Sequence, residues 1–476
     1  MVEARFVAAL LASGGDGRIE LRSGANTNQY GASPFPRSVR AYASSTANDV
    51  SLAAFEHLHD VLSGWPQDFA HSPDFYRASL EQLRTCIRQS WMLADEVEIA
   101  FAASGTDLEY LPLAAAAANS ALPVTNILVG QDEVGSGCLL AASGRHFADK
   151  TPLGIAVAKG EALAQLGATT VVAVPIRDDA GTALTSAELS ALIEHAARQA
   201  IADGRQVLIH VVHGSKTGLV LPDLAAIDGL RQRLGERARF VVDACQARSS
   251  PEMLAHYLER DCAVMVTGSK FIGGPPFSGF AFFPAAWAPA APLATGLSRV
   301  FARSELPASW TAAAFLDERT NPGLLLRLLA AQFEVERFAA VAPDLRHQVI
   351  SAFGSAVRGL AESLGASLVS PSLATDELHH ATLATLDLSA LRSAPDFAMA
   401  QRWHRVLAAR GLRLGQPVKC VRQSDGNWGG TLRLSLSMPL IVEFAKLSAA
   451  DLRHRLTTDM SQIADVIRAA EKPVVA

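Results

Sequence analysis

The sequence predicts an α/β protein with two domains: a large one with a mainly parallel seven-stranded sheet, and a smaller C-terminal α/β domain. Short β-branched runs alternate with longer Ala/Leu-rich amphipathic segments between residues 95 and 285, as in βα units around a parallel sheet. The chain of 476 residues exceeds the size at which a single hydrophobic core keeps growing. After residue 320 the pattern changes to a shorter set of elements.

The large sheet is expected to contain seven strands, each ending near a small or polar residue. They cover residues 97–102, 126–129, 170–176, 207–212, 240–243, 263–267 and 279–283. Helical periodicity predicts helices between them at residues 153–166, 187–202, 224–234 and 253–258.

The remaining elements divide the chain into three parts. Asn321 and Pro322 combine a capping residue with a first-turn proline, so a long helix is predicted to follow them. A segment at 381–388, a helix at 397–409, a strand at 432–437 and a last helix at 449–470 complete the smaller domain. The predicted division is residues 1–90 for N-terminal helices and an active-site loop, 91–320 for the large domain, and 321–476 for the linker helix and small domain.

Composition argues against several classes of protein. The net charge is -5, from 42 basic and 47 acidic residues without a dense basic run, so nucleic acid is not an expected partner. The N-terminal apolar run is too short to span a bilayer; a first helix and a cytoplasmic protein without membrane contact are predicted. The five cysteines lack CxxC spacing and nearby His pairs, so reduced thiols and no metal site are expected.

Two polar residues follow apolar strands in the large domain. Asp243 ends the run VVD, and ligands in open α/β sheets bind beyond the carboxyl ends of strands. The alternative role is a helix cap, because Asp is a preferred capping residue. Lys270 comes shortly after the strand at 263–267 and precedes a Gly/Pro loop. Such an amine is a competent nucleophile toward an aldehyde, and a solvated surface lysine is the alternative.

A turn of Ser104, Gly105, Thr106 and Asp107 separates a predicted strand from a predicted helix. Glycine lets the backbone approach a ligand closely, and amides at a helix start bind phosphate. Alone this turn is a weak indication. Its order with the acidic strand end and the lysine strand end, within one run of βα units, is more informative.

This order and spacing resemble the fold type I pyridoxal-phosphate (PLP) enzymes, in particular the class V aminotransferases and cysteine desulfurases, over about residues 90 to 440. The resemblance implies the PLP-transferase fold type I, with the cofactor held as a Schiff base on Lys270 and its ring nitrogen facing Asp243. The family's SGTT-like turn, D-x-x-Q pair and S/T-G-H-K-like segment imply cofactor contacts for Gly105, Thr106, Asp107, Asp243, Gln246, Thr267, Ser269 and Lys270.

Two later segments extend the resemblance. The run HVVH ending at His213 is similar to an H-V-x-N segment, which implies that His213 contacts the phenolic oxygen of the cofactor. Packing of His210 and His213 at a strand end is the alternative. The run GGTLRLSLS resembles a late LRxS strand, which implies that Arg433 holds the substrate carboxylate with its planar fork; an outward-facing strand arginine is the alternative.

The implied function is that of a homodimeric enzyme acting on an amino acid through an external aldimine, with Lys270 moving the proton at the α-carbon. Aminotransferase-like chemistry is the first choice, because Ser269 stands where desulfurases carry a histidine. The alternatives are a carbon–sulfur lyase or desulfurase using Cys420, another β/γ-elimination or replacement in specialised metabolism, and a cofactor-binding protein without catalysis.

Cys420 matches, in position only, the sulfur-accepting cysteine of one desulfurase group. Its neighbours Lys419 and Arg422 predict a lowered thiol pKa, while a bystander loop cysteine is the alternative.

The Gly/Asn/Ser/Pro-rich run RSGANTNQYGASPFPRS predicts an ordered loop. Such a segment often reaches the active site in the family. Asn26, Asn28 and Tyr30 are therefore candidates for substrate contact, with plain surface turn residues as the alternative.

Overall fold

The computed structural model describes residues 3–43, 47–135, 137–369 and 381–471. Its strands are β1 Arg40–Tyr42, β2 Glu98–Ala102, β3 Val124–Val129, β4 Thr170–Val174, β5 Gln206–His213, β6 Val220–Leu221, β7 Ala238–Asp243, β8 Ala263–Thr267, β9 Gly279–Phe283, β10 Ser367–Val369, β11 Leu383–Asp387, β12 Leu412–Leu414 and β13 Thr431–Ser435. Its α-helices are α1 Ala4–Leu11, α2 Leu52–Ser63, α3 Pro73–Ser90, α4 Gly105–Leu108, α5 Tyr110–Ala118, α6 Cys138–Ala142, α7 Ser186–Ala202, α8 Leu224–Leu234, α9 Pro251–Leu258, α10 Pro322–Ala339, α11 Pro343–Leu364, α12 Phe397–Ala409, α13 Met438–Phe444 and α14 Ala449–Glu471.

The central sheet has the strand order β2-β9-β8-β7-β5-β3-β4, and the two-residue β6 pairs with β5. Strand β9 runs antiparallel to β2 and β8, while β8, β7, β5, β3 and β4 are mutually parallel. The predicted mainly parallel sheet is confirmed, with β6 as an eighth strand. Alternate residues of β2 enter different core clusters, Ile99 and Phe101 in one and Ala100 and Ala102 in the other, because successive side chains of a strand point to opposite faces.

Helix starts agree with the sequence where the capping signal is strong. Helix α10 begins at Pro322, and the side chain of Asn321 accepts a hydrogen bond from the backbone N–H of Leu324 at 3.0 Å. Helix α7 begins after a capping box of Thr185 and Glu188. Each cap satisfies backbone N–H groups that the first helical turn leaves without partners.

The prediction of a helix at residues 153–166 is wrong. This segment consists of turns and isolated bridges, with Gly154 and Gly160 at φ of 78° and 87°. Those left-handed conformations interrupt a right-handed helix. The apolar spacing has another cause, because Leu163 and Leu166 are buried in the core from an irregular loop.

A second antiparallel sheet, β10-β11-β13, lies in the C-terminal part of the chain and packs with α11. Strand β1 pairs in parallel with β12, with Arg40 opposite Leu412. The N-terminal segment therefore contributes to the C-terminal part as well as packing α1, α2 and α3 against α10. The predicted boundaries at residues 90 and 320 stay predictions.

Three structural features concern membrane contact, metal binding and the state of the cysteines, which the sequence analysis considered. Within the described ranges, none of the helices is long and apolar enough to cross a membrane. The same ranges contain no cluster of three or more His, Cys, Asp or Glu side chains arranged to hold a metal ion. The five cysteines are free thiols.

Candidate active site

A cavity of about 210 Å³ lies beyond the carboxyl ends of β2, β7 and β8. Strands β7 and β8 are parallel, and β2 has the same direction because both β2 and β8 are antiparallel to β9. Their carboxyl ends therefore meet at one edge of the sheet. The structure brings to this cavity the predicted site residues Tyr30, Gly105, Thr106, Asp243, Gln246, Thr267, Ser269, Lys270 and Arg433.

The turn after β2 forms a tightly packed wall of the cavity. Ser104 caps α4 by accepting a hydrogen bond from the backbone N–H of Asp107 at 3.2 Å. A Cβ atom at Gly105 would lie 2.9 Å from Cγ2 of Thr267 and 3.2 Å from Sγ of Cys245. Glycine is required there because this wall has no space for a side chain.

The acidic end of β7 is held by its own turn. Asp243 Oδ1 accepts a hydrogen bond from the backbone N–H of Cys245 at 2.9 Å. Gln246 Oε1 accepts one from Arg248 at 2.8 Å, and burial lowers the pKa of the Arg248 guanidinium to about 9. Arg248 therefore orients the amide of Gln246 toward the cavity, a positioning role that the sequence analysis missed.

Contacts from distant segments fix the backbone around Lys270. Thr267 Oγ1 donates a hydrogen bond to the carbonyl of Cys245 at 2.7 Å. Asn48 Nδ2 donates to the carbonyls of Ser269 and Lys270 at 3.1 and 3.2 Å. Lys270 therefore lies on a loop whose backbone is held by hydrogen bonds, and not on a solvated surface segment.

Arg433 projects from β13 in the C-terminal sheet and is only 5% exposed. Its Nε donates to the carbonyl of Gln416 at 2.8 Å, and its Nη1 donates to the carbonyl of Lys216 at 2.9 Å. Burial lowers its pKa to about 10, so the guanidinium stays charged at neutral pH. No carboxylate among the described residues forms an ion pair with it, and the charge remains available to a ligand.

Tyr30 lies at the cavity beside Phe277, with 6.3 Å between the ring centroids. The predicted contacts of Asn26 and Asn28 with substrate are not supported by their positions. Asn28 is buried, and its Oδ1 accepts hydrogen bonds from the backbone N–H groups of Tyr30 and Ala32 at 2.9 and 3.1 Å. Asn26 is exposed and does not line the cavity.

Two predicted cofactor contacts also lie behind the cavity wall. Asp107 is buried, and its Oδ2 accepts a hydrogen bond from Ser104 Oγ at 2.5 Å. His213 is fully buried at the end of β5, with its Nδ1 2.9 Å from the hydroxyl of Tyr257. Both are buried, and neither side chain lines the cavity.

Cys420 is 4% exposed and lies outside the cavity. The predicted lowering of its pKa is wrong, since burial raises the pKa of the thiol to about 12. The two neighbouring cations face aromatic rings: Arg422 lies 3.7 Å from the centroid of Trp428, and Lys419 lies 5.5 Å from that of Phe397. A buried thiol with this pKa is a poor nucleophile at neutral pH.

Sequence analysis also missed charged residues that line the cavity. Arg18 forms an ion pair with Asp16 at 2.7 Å and donates a hydrogen bond to Ser104 Oγ at 3.2 Å. Glu133 lies past the end of β3 and pairs with Arg177 at 2.6 Å. The only local signal for Glu133 was its place after a buried strand, the same signal that indicated Asp243.

The sheet topology and the cavity at its carboxyl edge define the fold of the fold type I PLP-dependent transferases. Three of the solved structures that are similar to this chain illustrate this fold. Ureidoglycine-glyoxylate aminotransferase from Bacillus subtilis matches with a TM-score of 0.56 and 12% identity, over 93% of this chain and 95% of its own. A cysteine desulfurase from Escherichia coli matches with a TM-score of 0.54 and 16% identity, over 90% and 94%.

Serine palmitoyltransferase from S. paucimobilis, solved with a bound PLP-myriocin aldimine, matches with a TM-score of 0.52 and 11% identity, over 91% of this chain and 87% of its own. No protein-family profile matches the sequence, and no curated protein matches it at a significant level. At these identities the likeness establishes the fold, which confirms the predicted fold class.

Proposed function

We propose that the protein is a PLP-dependent enzyme that acts on an amino acid, with aminotransferase-like proton transfer at the substrate α-carbon. The observation that carries the proposal is the meeting of Lys270, Asp243 and Arg433 in one cavity at the carboxyl edge of the sheet. These three groups are an amine, a carboxylate and an unpaired guanidinium. The amine matches the aldehyde of PLP, the carboxylate matches its ring nitrogen, and the guanidinium matches the carboxylate of an amino acid.

The residues around these groups also fit the cofactor. Thr106 and Ser269 line the cavity, and a hydroxyl group of this kind is a donor for a phosphate. The absence of a side chain at Gly105 leaves the close approach that a phosphate needs. Gln246 supplies an amide donor for the phenolic oxygen. When bound, PLP supplies an electron sink for the electron pair left by the departing α-proton.

Each residue of this chain then has a defined task. Asp243 holds a proton on the pyridine nitrogen, because an ion pair away from bulk water favours the charged form. Arg433 binds the substrate carboxylate and so orients the α-carbon toward Lys270. Lys270 binds the cofactor aldehyde in the resting enzyme, and its amine removes or returns the α-proton when the substrate is bound.

The position of Cys420 supports proton transfer over sulfur transfer as the reaction type. A sulfur acceptor must reach the substrate as a thiolate, whereas Cys420 is buried outside the cavity with a raised pKa of about 12. Unlike a desulfurase that uses Cys420, an aminotransferase-like reaction needs only groups that line the cavity.

The cofactor and its lysine are tested together by absorbance. The purified protein with added PLP is expected to show a visible band that borohydride removes, and peptide mapping should then find the reduced cofactor on Lys270. Lys270→Ala should lose the covalent label, while Lys446→Ala, which removes an exposed lysine, should retain it. A protein that stays colourless with added PLP would exclude the proposed function.

Homodimerisation and a cytoplasmic location are part of the same proposal, since the family resemblance implies the first and the composition favours the second. Light scattering coupled to size-exclusion chromatography measures the first directly. A mass of about 50 kDa at all concentrations, that of a single 50.4 kDa chain, would contradict the dimer.

A further inference from the structure

We propose that the substrate carries a second anionic group besides its α-carboxylate, and that Lys216 binds it. The inference rests on the proposed function and extends it to the class of amino acid. Lys216 lines the active-site cavity and also a larger cavity of about 440 Å³ on the outer side of that site. Gln416 is the other residue that lines both. A ligand can therefore extend from one cavity to the other past these two side chains.

Two cations that line the inner cavity have no carboxylate partner among the described residues. Glu133 is paired with Arg177, and Arg18 is paired with Asp16. Lys270 and Asp243 are occupied by the cofactor in the proposed enzyme. Lys216 and Arg433 remain, and in the described part of the chain neither forms an ion pair with a carboxylate. An α-carboxylate balances Arg433. The phosphate of the cofactor adds negative charge to the inner cavity, so what distinguishes Lys216 is its position, because it also lines the outer cavity.

Lys216 and Arg433 are held side by side. The Nη1 of Arg433 donates to the backbone carbonyl of Lys216 at 2.9 Å, and the ammonium of Lys216 donates to the carbonyl of Asp132 at 3.1 Å. Burial, together with the positive charges of Arg433 and Lys270, lowers the pKa of Lys216 to about 8. Such a cluster of like charges is relieved when an anion binds between its members.

The outer cavity continues the positive charge. Arg405 and Lys419 line it, and neither has an ion-pair partner among the described residues. His404 is turned away, with its Nε2 2.9 Å from the carbonyl of Leu414. Asp132 is the one carboxylate among the lining residues that the structure describes. A side chain ending in a carboxylate, sulfinate, sulfonate or phosphate matches this surface, and a neutral or cationic side chain does not.

The test compares acidic amino acids with their uncharged isosteres on the PLP-loaded enzyme. L-glutamate against L-glutamine and L-aspartate against L-asparagine are titrated, and the shift of the visible band gives each Kd. At least one acidic member should bind about tenfold or more tightly than its amide, because a charge-assisted hydrogen bond replaces a neutral one. Equal affinities within both pairs would overturn the inference and leave the proposed function intact, since the band and the label on Lys270 report that separately.

Lys216→Met keeps most of the length of the unbranched side chain and removes its charge. It should reduce the affinity for the preferred acidic ligand by about tenfold and leave that of the amide nearly unchanged, with the visible band retained as evidence of an intact site. An equal loss for both ligands would contradict the assignment.

Arg405→Gln provides a second variant that does not disturb folding, because Arg405 is exposed. It should reduce the acidic preference less, since exposed charges are screened by solvent. Arg410→Gln, an exposed arginine outside both cavities, is the matched control and should leave the preference unchanged.

Discussion

Asp107 is expected to reduce the stability of the folded protein as the pH rises. Its carboxyl group is buried behind the turn that borders the cavity, and its pKa is raised from 3.8 to about 7 by burial and by the negative charge of Asp16. A raised carboxyl pKa means that the folded chain binds a proton more tightly than the unfolded chain. The associated stability is full below about pH 4 and is lost as the pH rises through about 7.

The size of the effect follows from the two pKa values. One pKa unit corresponds to about 1.4 kcal/mol. Above neutral pH, ionised Asp107 therefore lowers the free energy of unfolding by about 4 kcal/mol, compared with a side chain at this position that stays neutral. The substitution Asp107→Asn introduces a side chain that stays neutral at every pH. The amide oxygen of asparagine can still accept the hydrogen bond from Ser104. We expect the stability advantage of the variant over the wild type to grow by about 3 kcal/mol between about pH 5 and about pH 8.

Urea unfolding of both proteins at the two pH values, followed by near-UV circular dichroism, measures this difference. Glu305 is another buried carboxyl group, and burial is the main cause that raises its pKa to about 7. The burial contribution is present in both proteins and cancels, while the smaller contribution from the charge of Asp107 disappears together with that charge. A stability difference that is the same at both pH values would refute the reasoning, because it would show that Asp107 ionises alike in the folded and unfolded chains.

Two further substitutions test the shape of the cavity and the placement of Cys420 outside it. Gly105→Ala should weaken PLP binding about tenfold, because the added Cβ lies 2.9 Å from a methyl group of Thr267, and the hydroxyl of Thr267 is fixed by a hydrogen bond. An absorbance titration gives the Kd for PLP, with Gly359→Ala, which adds a methyl group in open space, as the control. Equal Kd values for the two variants would contradict the steric argument. Cys420→Ala should leave turnover within about twofold of the wild type, because the thiol is buried outside the cavity. Release of keto acid and of sulfide is measured in parallel for both proteins. Loss of sulfide release in the variant would support the desulfurase alternative.

Most of the large sheet was predictable because its strands carry local signals. The predicted strands at 263–267 and 279–283 have the bounds that the structure gives to β8 and β9, since each is a short apolar run that ends at a turn. The segment at 153–166 shows where this reasoning fails. Its apolar spacing suited a helix, but Gly154 and Gly160 have left-handed backbones, and which conformation a glycine adopts is decided by its surroundings.

Lys270, Asp243 and Arg433 were assigned by order and motif. Strand ends at one edge of the central sheet bring Asp243 and Lys270 together, whereas Arg433 reaches the cavity from β13 of the C-terminal sheet. The sequence therefore determined the fold class and the central groups of the candidate site. It did not determine which neighbours face the cavity. His213 and Cys420 belong to matching segments, yet the structure turns them into the interior.

The charged residues Arg18 and Lys216 reach the cavity from segments that carry no motif. Only the tertiary structure decided their role, and the physical reason is the same in each case. A side chain's burial and the charges beside it come from residues distant in the chain, whereas the signals read along a sequence are those of its local backbone.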